Sequence, residues 1–347
     1  MSFSFSVPPG FEWPAQFCLF VTVATYVLSL PFVTNNVSQV DRLWTFLPTI
    51  YTAYWAMLPL WPAQQPFYLA PWNSLGVTEF NPRALLLLGL IITWMFRLSY
   101  NTYRRGLFSL NDEDYRWQVL RGQLHPVLFQ ITNLTFIAGI QNVLLLLLGV
   151  PAYMAATQPY QPLNSKDYAV AALTVIVLVL EFTADNQQYA YQTFKHNSKR
   201  FHATHQWPGA QIVWTDADRE RGFVTRGLWA WSRHPNFALE QSFWWIMNLA
   251  ALPDTTSFNL SDAQTVLDLL RPITPALSLS LLFFSSTLFS ESITASKYPG
   301  YASYQARVGM FSPLDTLLKG FLLGMRGKKG SVDKELWGDV VAMGKMQ

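Results

Sequence analysis

Residues 168 to 196 read YAVAALTVIVLVLEFTADNQQYAYQTFKH. The first part carries no charged side chain and is apolar enough to cross the roughly 30 Å of hydrocarbon in a bilayer, while the second brings in carboxylates, amides and a lysine. Glu181, Asp185, Gln188, Gln192 and Lys195 follow one another at intervals of four, three, four and three, the spacing that stacks side chains on one face of a helix. A membrane helix with such a stripe at one end is either leaving the bilayer as an ordinary amphipathic exit or lining a polar cavity between helices. Ionisable groups at this depth cost several kcal/mol unless they face a bundle interior, a partner or water. For Lys195 the first reading is the simpler one; for Glu181 and Asp185, hard against VIVLVL, the sequence favours a site.

The whole chain agrees with a membrane setting. Its 347 residues are 51% hydrophobic and 16% aromatic but only 13% charged, far from the balance of a soluble domain. Uncharged stretches near 15–34, 43–62, 84–105, 126–152, 168–190, 236–253 and 272–290 predict an all-α bundle of about seven transmembrane spans. MSFSFSVPPGFEWP lacks the basic start of a cleavable signal, so the first stretch is expected to stay as a span. Residues 126–165 carry no charge, and Pro151 either ends one long helix or separates it from an interfacial segment. Arg104, Arg105, Arg116 and Arg121 follow the third span, and Lys195, Lys199, Arg200, Arg219, Arg221, Arg226 and Arg233 follow the fifth. The positive-inside rule makes both loops cytoplasmic, with the acidic loop near 254–271, the N-terminus outside and the C-terminus inside. One membrane domain over 1–320 and a polar, mobile cytoplasmic tail over 321–347 complete the expected organisation.

Composition also excludes some classes. A net charge of +3, with the basic residues where topology requires them, gives no case for nucleic-acid binding. The single cysteine, Cys18, forms no intramolecular disulfide framework and reads as packing. His196, His202 and His205 lack a metal-ligand pattern, so no metal is expected.

Three further stretches carry polar chemistry. In WMFRLSYNTYRR, Arg97, Tyr100, Asn101 and Arg104 share a face, balanced against snorkelling arginines at the bilayer edge. DEDYRW, with Asp112, Glu113, Asp114 and Arg116, reads as surface charge pairing. In GLWAWSRHPNFALEQSFWW, Pro235 suits the first turn of a helix, which sets Arg233 and His234 at its positive end, where an anion would be received, and aligns Asn236 with Glu240. Beyond the last span, SESITASKYPGYASYQARVGMFSP supplies Glu291 at the bilayer edge, then Lys297, Tyr298, Tyr301, Tyr304 and Arg307. These tyrosines are either an interfacial belt or partners for a ribose and phosphate.

EFTADNQQYAYQTFK, GLWAWSRHPNFALE and SESITASKYPGYASYQARVGMFSP together resemble the steroid 5-alpha-reductase C-terminal family, and more closely its multi-span branch known as DUF1295. Similarity extends to VDRLWTFLP, RLSYNTYRR and DEDYRWQVLR, from about residue 40 to about residue 313. The resemblance implies an all-helical, endoplasmic reticulum membrane reductase that holds NADPH in a cytoplasm-facing cavity of its C-terminal half, about 168–313, and reduces a carbon-carbon double bond in a steroid, sterol or other lipid. Carried onto this chain, it assigns the cofactor to Asp185, Gln188, Lys195, Arg233, His234, Asn236, Glu240, Tyr301 and Tyr304. The family commonly reads Arg-His-Pro-Asn-Tyr-Phe-Gly-Glu, whereas Phe237, Ala238 and Leu239 precede Glu240 here, which removes a hydroxyl and the close approach a glycine allows. No motif selects the proton donor to the product; Tyr51, Tyr54 and Tyr100 are the candidates. No G-x-G-x-x-G opens a helix after a strand, so any nucleotide site is not of the soluble dinucleotide type. Two alternatives stay open: an S-adenosylmethionine-dependent methyltransferase of the isoprenylcysteine type, which shares Arg-His-Pro but does not need the DNQQYAYQTFK stripe, and a non-catalytic lipid-binding or scaffold protein.

Overall fold

A computed structural model describes residues 7–197, 199, 201–252 and 263–343. Fifteen α-helices and no strand are found among the described residues. Four helical segments are long and apolar enough to cross a membrane: Pro82–Arg104, Pro126–Ala156, Ser165–His196 and Pro272–Lys297. The protein is therefore an all-α integral membrane protein.

The chain forms two compact units, Met1–Val175 with Trp244–Leu279, and Ile176–Phe243 with Ser280–Gln347. The first contains α1 (Glu12–Ser29), α2 (Gln39–Leu43), α3 (Leu47–Ala56), α4 (Pro82–Arg104), α5 (Tyr115–Gln123), α6 (Pro126–Thr132), α7 (Gln141–Leu147) and α8 (Val150–Ala156). Its core is the packing of α3, α4 and α8, with Tyr51, Tyr54, Trp55, Leu87 and Trp94 fully buried. At Gly149, between α7 and α8, a side chain would place its Cβ 2.7 Å from that of Tyr51 and 2.9 Å from the Trp55 ring, so only glycine lets α3 approach this break so closely. Pro151 does not end a helix; it stands in the first turn of α8, where its missing N–H costs nothing.

Between α6 and α7 the backbone takes a π-helical course over Asn133–Ile140. Polar groups buried along this segment are matched to α1: Asn133 donates to the Ser29 hydroxyl at 2.8 Å and Asn142 to the Thr25 hydroxyl at 3.2 Å. Each supplies the in-membrane partner that water cannot.

The expected span at 43–62 differs from what forms. Only α3, ten residues from Leu47 to Ala56, is α-helical there, followed by a short 3-10 turn at Leu58–Leu60. Ten residues rise about 15 Å, half the hydrocarbon thickness. Pro48 sets the start of α3 and Pro59 cannot donate within its continuation, so an apolar run long enough to cross is divided by its prolines.

VDRLW and DEDYRW, far apart in sequence, lock together in this unit. The Trp117 indole donates to Asp41, Arg42 donates to the carbonyls of Ser109 and Asp112, and Glu113 receives both Arg121 and the Val37 amide. These charges tie two chain segments to one another rather than simply decorating a surface.

Three helices have residues in both units: α9 (Ser165–His196), α11 (Pro235–Ala250) and α12 (Ala263–Lys297). Of the expected acidic loop near 254–271, residues 253–262 lie outside those described, and Ala263 already begins α12. The second unit adds α10 (Asp216–Arg221), α13 (Tyr301–Arg307), α14 (Pro313–Met325) and α15 (Lys329–Met343).

Of the C-terminal stretch expected to be mobile, 321–347, the described residues up to 343 are largely helical. Leu336 of α15 is buried with Phe223, Tyr301, Tyr304 and Val308, the Trp337 indole donates to the Thr225 carbonyl, and Arg307 pairs with Asp333 at 2.7 Å. Two apolar side chains at adjacent positions, embedded in polar sequence, are enough to dock the helix.

In the first unit, Arg83 and Asp167 form a buried ion pair at 2.7 Å between the starts of α4 and α9. Asn81 caps α4 by accepting from the Arg83 and Ala84 amides, which fixes the arginine for this contact. Removing one partner strands a buried charge. Asp167→Ala is expected to cost about 3–5 kcal/mol, and Arg83→Met with Asp167→Leu to recover most of that loss, measured by thermal unfolding of the detergent-solubilised protein.

Candidate functional site

The polar stripe of α9 sits on the second unit, and α11 packs against it there. Glu181, Asp185 and Glu240 are all buried, at 5% exposure or less. The Asn236 amide approaches the Asp185 carboxylate at 3.5 Å, so two stretches expected to meet do meet. Beside this contact, the Oδ1 of Asn236 and the Oε1 of Gln188 are buried with no donor among the described residues. These two amide oxygens are buried acceptors at the helix pair to which the resemblance assigns the nucleotide.

Arg233 behaves differently. Its guanidinium makes a two-pronged ion pair with Glu291, at 2.7 and 3.0 Å, and its third nitrogen donates to the carbonyls of Gln305 and Val308. His234 contacts the same carboxylate at 2.9 Å, the Tyr301 hydroxyl donates to it at 3.1 Å, and Gln305 donates at 2.9 Å. Every partner named here for Glu291 is brought from outside α12. Burial, and then the Glu291 charge, push the Tyr301 phenol far above its usual range, so it stays protonated and serves as a donor.

Tyr304 is also a fixed donor. Its hydroxyl bonds to the Trp229 carbonyl, and burial raises its pKa well above the ordinary value. Both tyrosines pack on Phe223, at ring separations of 5.0 and 5.4 Å. Phe237, where the family commonly carries tyrosine, stacks on His234 at 5.7 Å and meets Phe283 edge-on at 4.8 Å. The phenyl ring at this position, without the hydroxyl the family commonly carries, lies against the histidine that faces Glu291.

Lys195, at the far end of the stripe, donates to the Gly222 carbonyl at 2.7 Å and to the Tyr298 hydroxyl at 2.9 Å. Gly222 ends α10 in the left-handed conformation, with φ of 86°, and a Cβ there would lie 2.1 Å from the Tyr298 ring. Both the backbone angle and the close ring demand glycine.

The three proton-donor candidates fall in the first unit. Tyr51 is fully buried beside Cys18, and Tyr54 donates to the Trp72 carbonyl at 2.9 Å. Tyr100 is half-exposed under the Arg104 guanidinium, and Asn101 accepts from Arg104 at 2.9 Å.

Sequence reasoning left Glu291 out of the site, although it is the carboxylate on which Arg233, His234 and Tyr301 converge. The available signal was an acidic residue at the bilayer edge with no basic neighbour at helical spacing. It also missed Gln187, which accepts from the Leu228 amide and donates to the Gly209 carbonyl, holding the loop before α11 against α9.

The model of a family described as "Protein of unknown function (DUF1295)" matches residues 25–308. The chain belongs to the DUF1295 family. The DUF1295 match spans both units and takes in every residue of the Glu291 cluster. An uncharacterized protein of Schizosaccharomyces pombe is 31% identical over 282 residues, covering 81% of this chain and 73% of the yeast protein. No solved structure matches.

Two outcomes are expected from this geometry. Glu291→Gln keeps the shape but leaves the Arg233 charge buried without its counterion, and should lower stability in detergent by about 3–5 kcal/mol. In an ultraviolet titration, Tyr298 should ionise first among the tyrosines, and Tyr298→Phe should remove that early phase. Burial works against its ionisation, but the hydrogen bond and charge of Lys195, with Lys297 beside it, hold its pKa below the ordinary 10. Because folding lowers this pKa, phenolate formation favours the folded state: the gain builds up as pH rises from the lowered value to the ordinary one, is fully present above the ordinary value, and is lost as pH falls through the lowered value.

Proposed function

We propose that this DUF1295 protein is an NADPH-dependent reductase of a carbon-carbon double bond in a membrane lipid, steroid or sterol, with its cofactor on the α9–α11 face of the second unit. The observation that carries the reading is the pair of buried acceptors without a donor among the described residues, Asn236 Oδ1 and Gln188 Oε1. Nicotinamide and ribose bring N–H and O–H donors, and buried acceptors on facing helices are the groups that would receive them. The resemblance to the steroid 5-alpha-reductase family points to the same residues.

NADPH would supply the hydride. The work of the chain is then to bind and orient: Asn236 and Gln188 receive the carboxamide, and Asp185 and Glu240 receive ribose hydroxyls. Lys195, with Tyr298 and the adjoining loop, meets phosphate. Arg233, His234, Tyr301 and Tyr304 act one step removed, since their polar atoms bond to Glu291 and to backbone carbonyls; they set the start of α11 and hence the position of Asn236 and Glu240. Arg233→Ala is accordingly expected to unfold the protein rather than to separate NADPH from NADH. The buried apolar wall of the spans excludes water from the reacting carbon.

The topology that goes with this function has the loop at 197–234 and the C-terminal helices in the cytoplasm, on the side the positive-inside rule gives to their lysines and arginines, and the resemblance implies an endoplasmic reticulum membrane. Seven spans and an external N-terminus follow if the segments around α1, α3 and α11 cross as well as the four long helices. A tag at 196–226 should be cytoplasmic, and a tag at the N-terminus reports whether α1 and α3 both cross. External placement of the 196–226 tag would remove these acceptors from cytosolic cofactor.

One observation favours the scaffold alternative: the most polar cluster of the unit, around Glu291, is closed on itself. Cofactor binding separates the readings. NADPH should raise the unfolding temperature of the purified protein and S-adenosylmethionine should not. Asp185→Asn and Glu240→Gln should each weaken NADPH binding by about one to two decades with folding retained, and by less than the product when combined, since each removes about 1.5–3 kcal/mol from a shared network. Wild-type affinity in both variants, or no nicotinamide binding at all, overturns the reductase reading.

A further inference from the structure

Helix α14, Pro313–Met325, has thirteen residues and a length of about 20 Å, too short to cross a bilayer. Leu314, Leu317, Leu318, Phe321, Leu322 and Met325 fall at the spacing of a single helix face, and every one is between 37% and 75% exposed. The opposite face is anchored: Thr316 is buried, donating to the Trp231 carbonyl and accepting from the Gly309 amide. Gly320 lies so close to Arg307 that a Cβ would stand 3.0 Å from its guanidinium. The helix is therefore held to the protein by one side and turns a continuous apolar side outward.

Charge identifies what covers it. Arg326, Lys328 and Lys329 follow at once, all exposed, and none pairs with a carboxylate among the described residues. The Trp231 carbonyl is the one that Thr316 holds, and its indole is half-exposed, the kind of amphipathic ring that settles at headgroup level. An apolar face, a cluster of unpaired cations at its end and an interfacial tryptophan complement a lipid surface bearing negative headgroups.

We propose that α14 is an in-plane membrane anchor, lying in the bilayer interface with its Leu/Phe/Met face among acyl chains and Arg326, Lys328 and Lys329 on anionic lipid headgroups. Such a helix adds an in-plane constraint on the depth and tilt of the second unit to the one that α9 and α12 supply as membrane-crossing helices. The anchor is independent of any cofactor, so its test reads the membrane and not the activity.

The test uses the full chain in nanodiscs of phosphatidylcholine, with or without phosphatidylserine, carrying one added cysteine and an environment-sensitive fluorophore. Cys18 is buried and serves as the unlabelled background. Probes at Leu318→Cys and Phe321→Cys should be quenched by lipid-borne nitroxide and protected from aqueous iodide, whereas Lys334→Cys, on an exposed position of α15, should show the reverse. Phosphatidylserine should deepen the first pair, and R326Q with K328Q and K329Q should abolish that dependence, each cation being worth about five-fold in local lipid affinity. Iodide access at 318 and 321 overturns the proposal. So does protection from both quenchers with cross-linking between copies, which would make this face a protein contact.

Discussion

Glu291 governs the second unit. In a medium without water a carboxylate is tolerated only when protein supplies every partner, and here α12 offers one carboxylate that gathers Arg233 and His234 from the approach to α11, and Tyr301 and Gln305 from α13. Three chain segments are registered by one charge. The start of α11 is set by it, and with that start the placement of Asn236 over Asp185. The aromatic layer of Phe223, Tyr301 and Tyr304 then closes over the network, and α15 docks on that layer through Leu336.

Glu291 is met by Arg233, His234, Tyr301 and Gln305, and nothing in that cluster asks for a ligand. The side-chain amide oxygens of Asn236 and Gln188 are buried acceptors without a donor among the described residues. Charge density alone points to the first cluster as a binding site, whereas the buried acceptors lie elsewhere, on α9 and α11.

What was legible in the sequence was local. The spacing from Glu181 to Lys195 gave a helix face, Pro235 gave a helix start, and the uncharged stretches gave four spans that form. Convergence on Glu291 was not legible, because its partners lie ten to fifty-eight positions away and no periodicity links them. Arg233 was read as an anion receptor for the same reason: a guanidinium at a helix start looks identical in sequence whether its anion is a phosphate or an internal carboxylate. Length of apolar sequence misled at 43–62, where Pro48 and Pro59 limit the helix, and polar composition misled at the C-terminus, where Leu336 and Trp337 suffice to dock α15. The amphipathic α14 was hidden too, since its leucines read as an unremarkable mixture until the fold shows which side is covered.

The π-helical course of Asn133–Ile140 acts as a phase shifter. On a regular α-helix, residues nine apart are separated by about two and a half turns and point in opposite directions. Asn133 and Asn142 nonetheless both reach α1, at Ser29 and Thr25, because the wider turns between them advance less per residue. Straightening the segment to ideal geometry would keep every backbone hydrogen bond and yet rotate one asparagine toward the acyl chains. The irregular winding is thus the means by which a single helix keeps one polar edge continuous across the hydrocarbon, and the rotational setting of everything downstream, α7 and α8 included, is inherited from it.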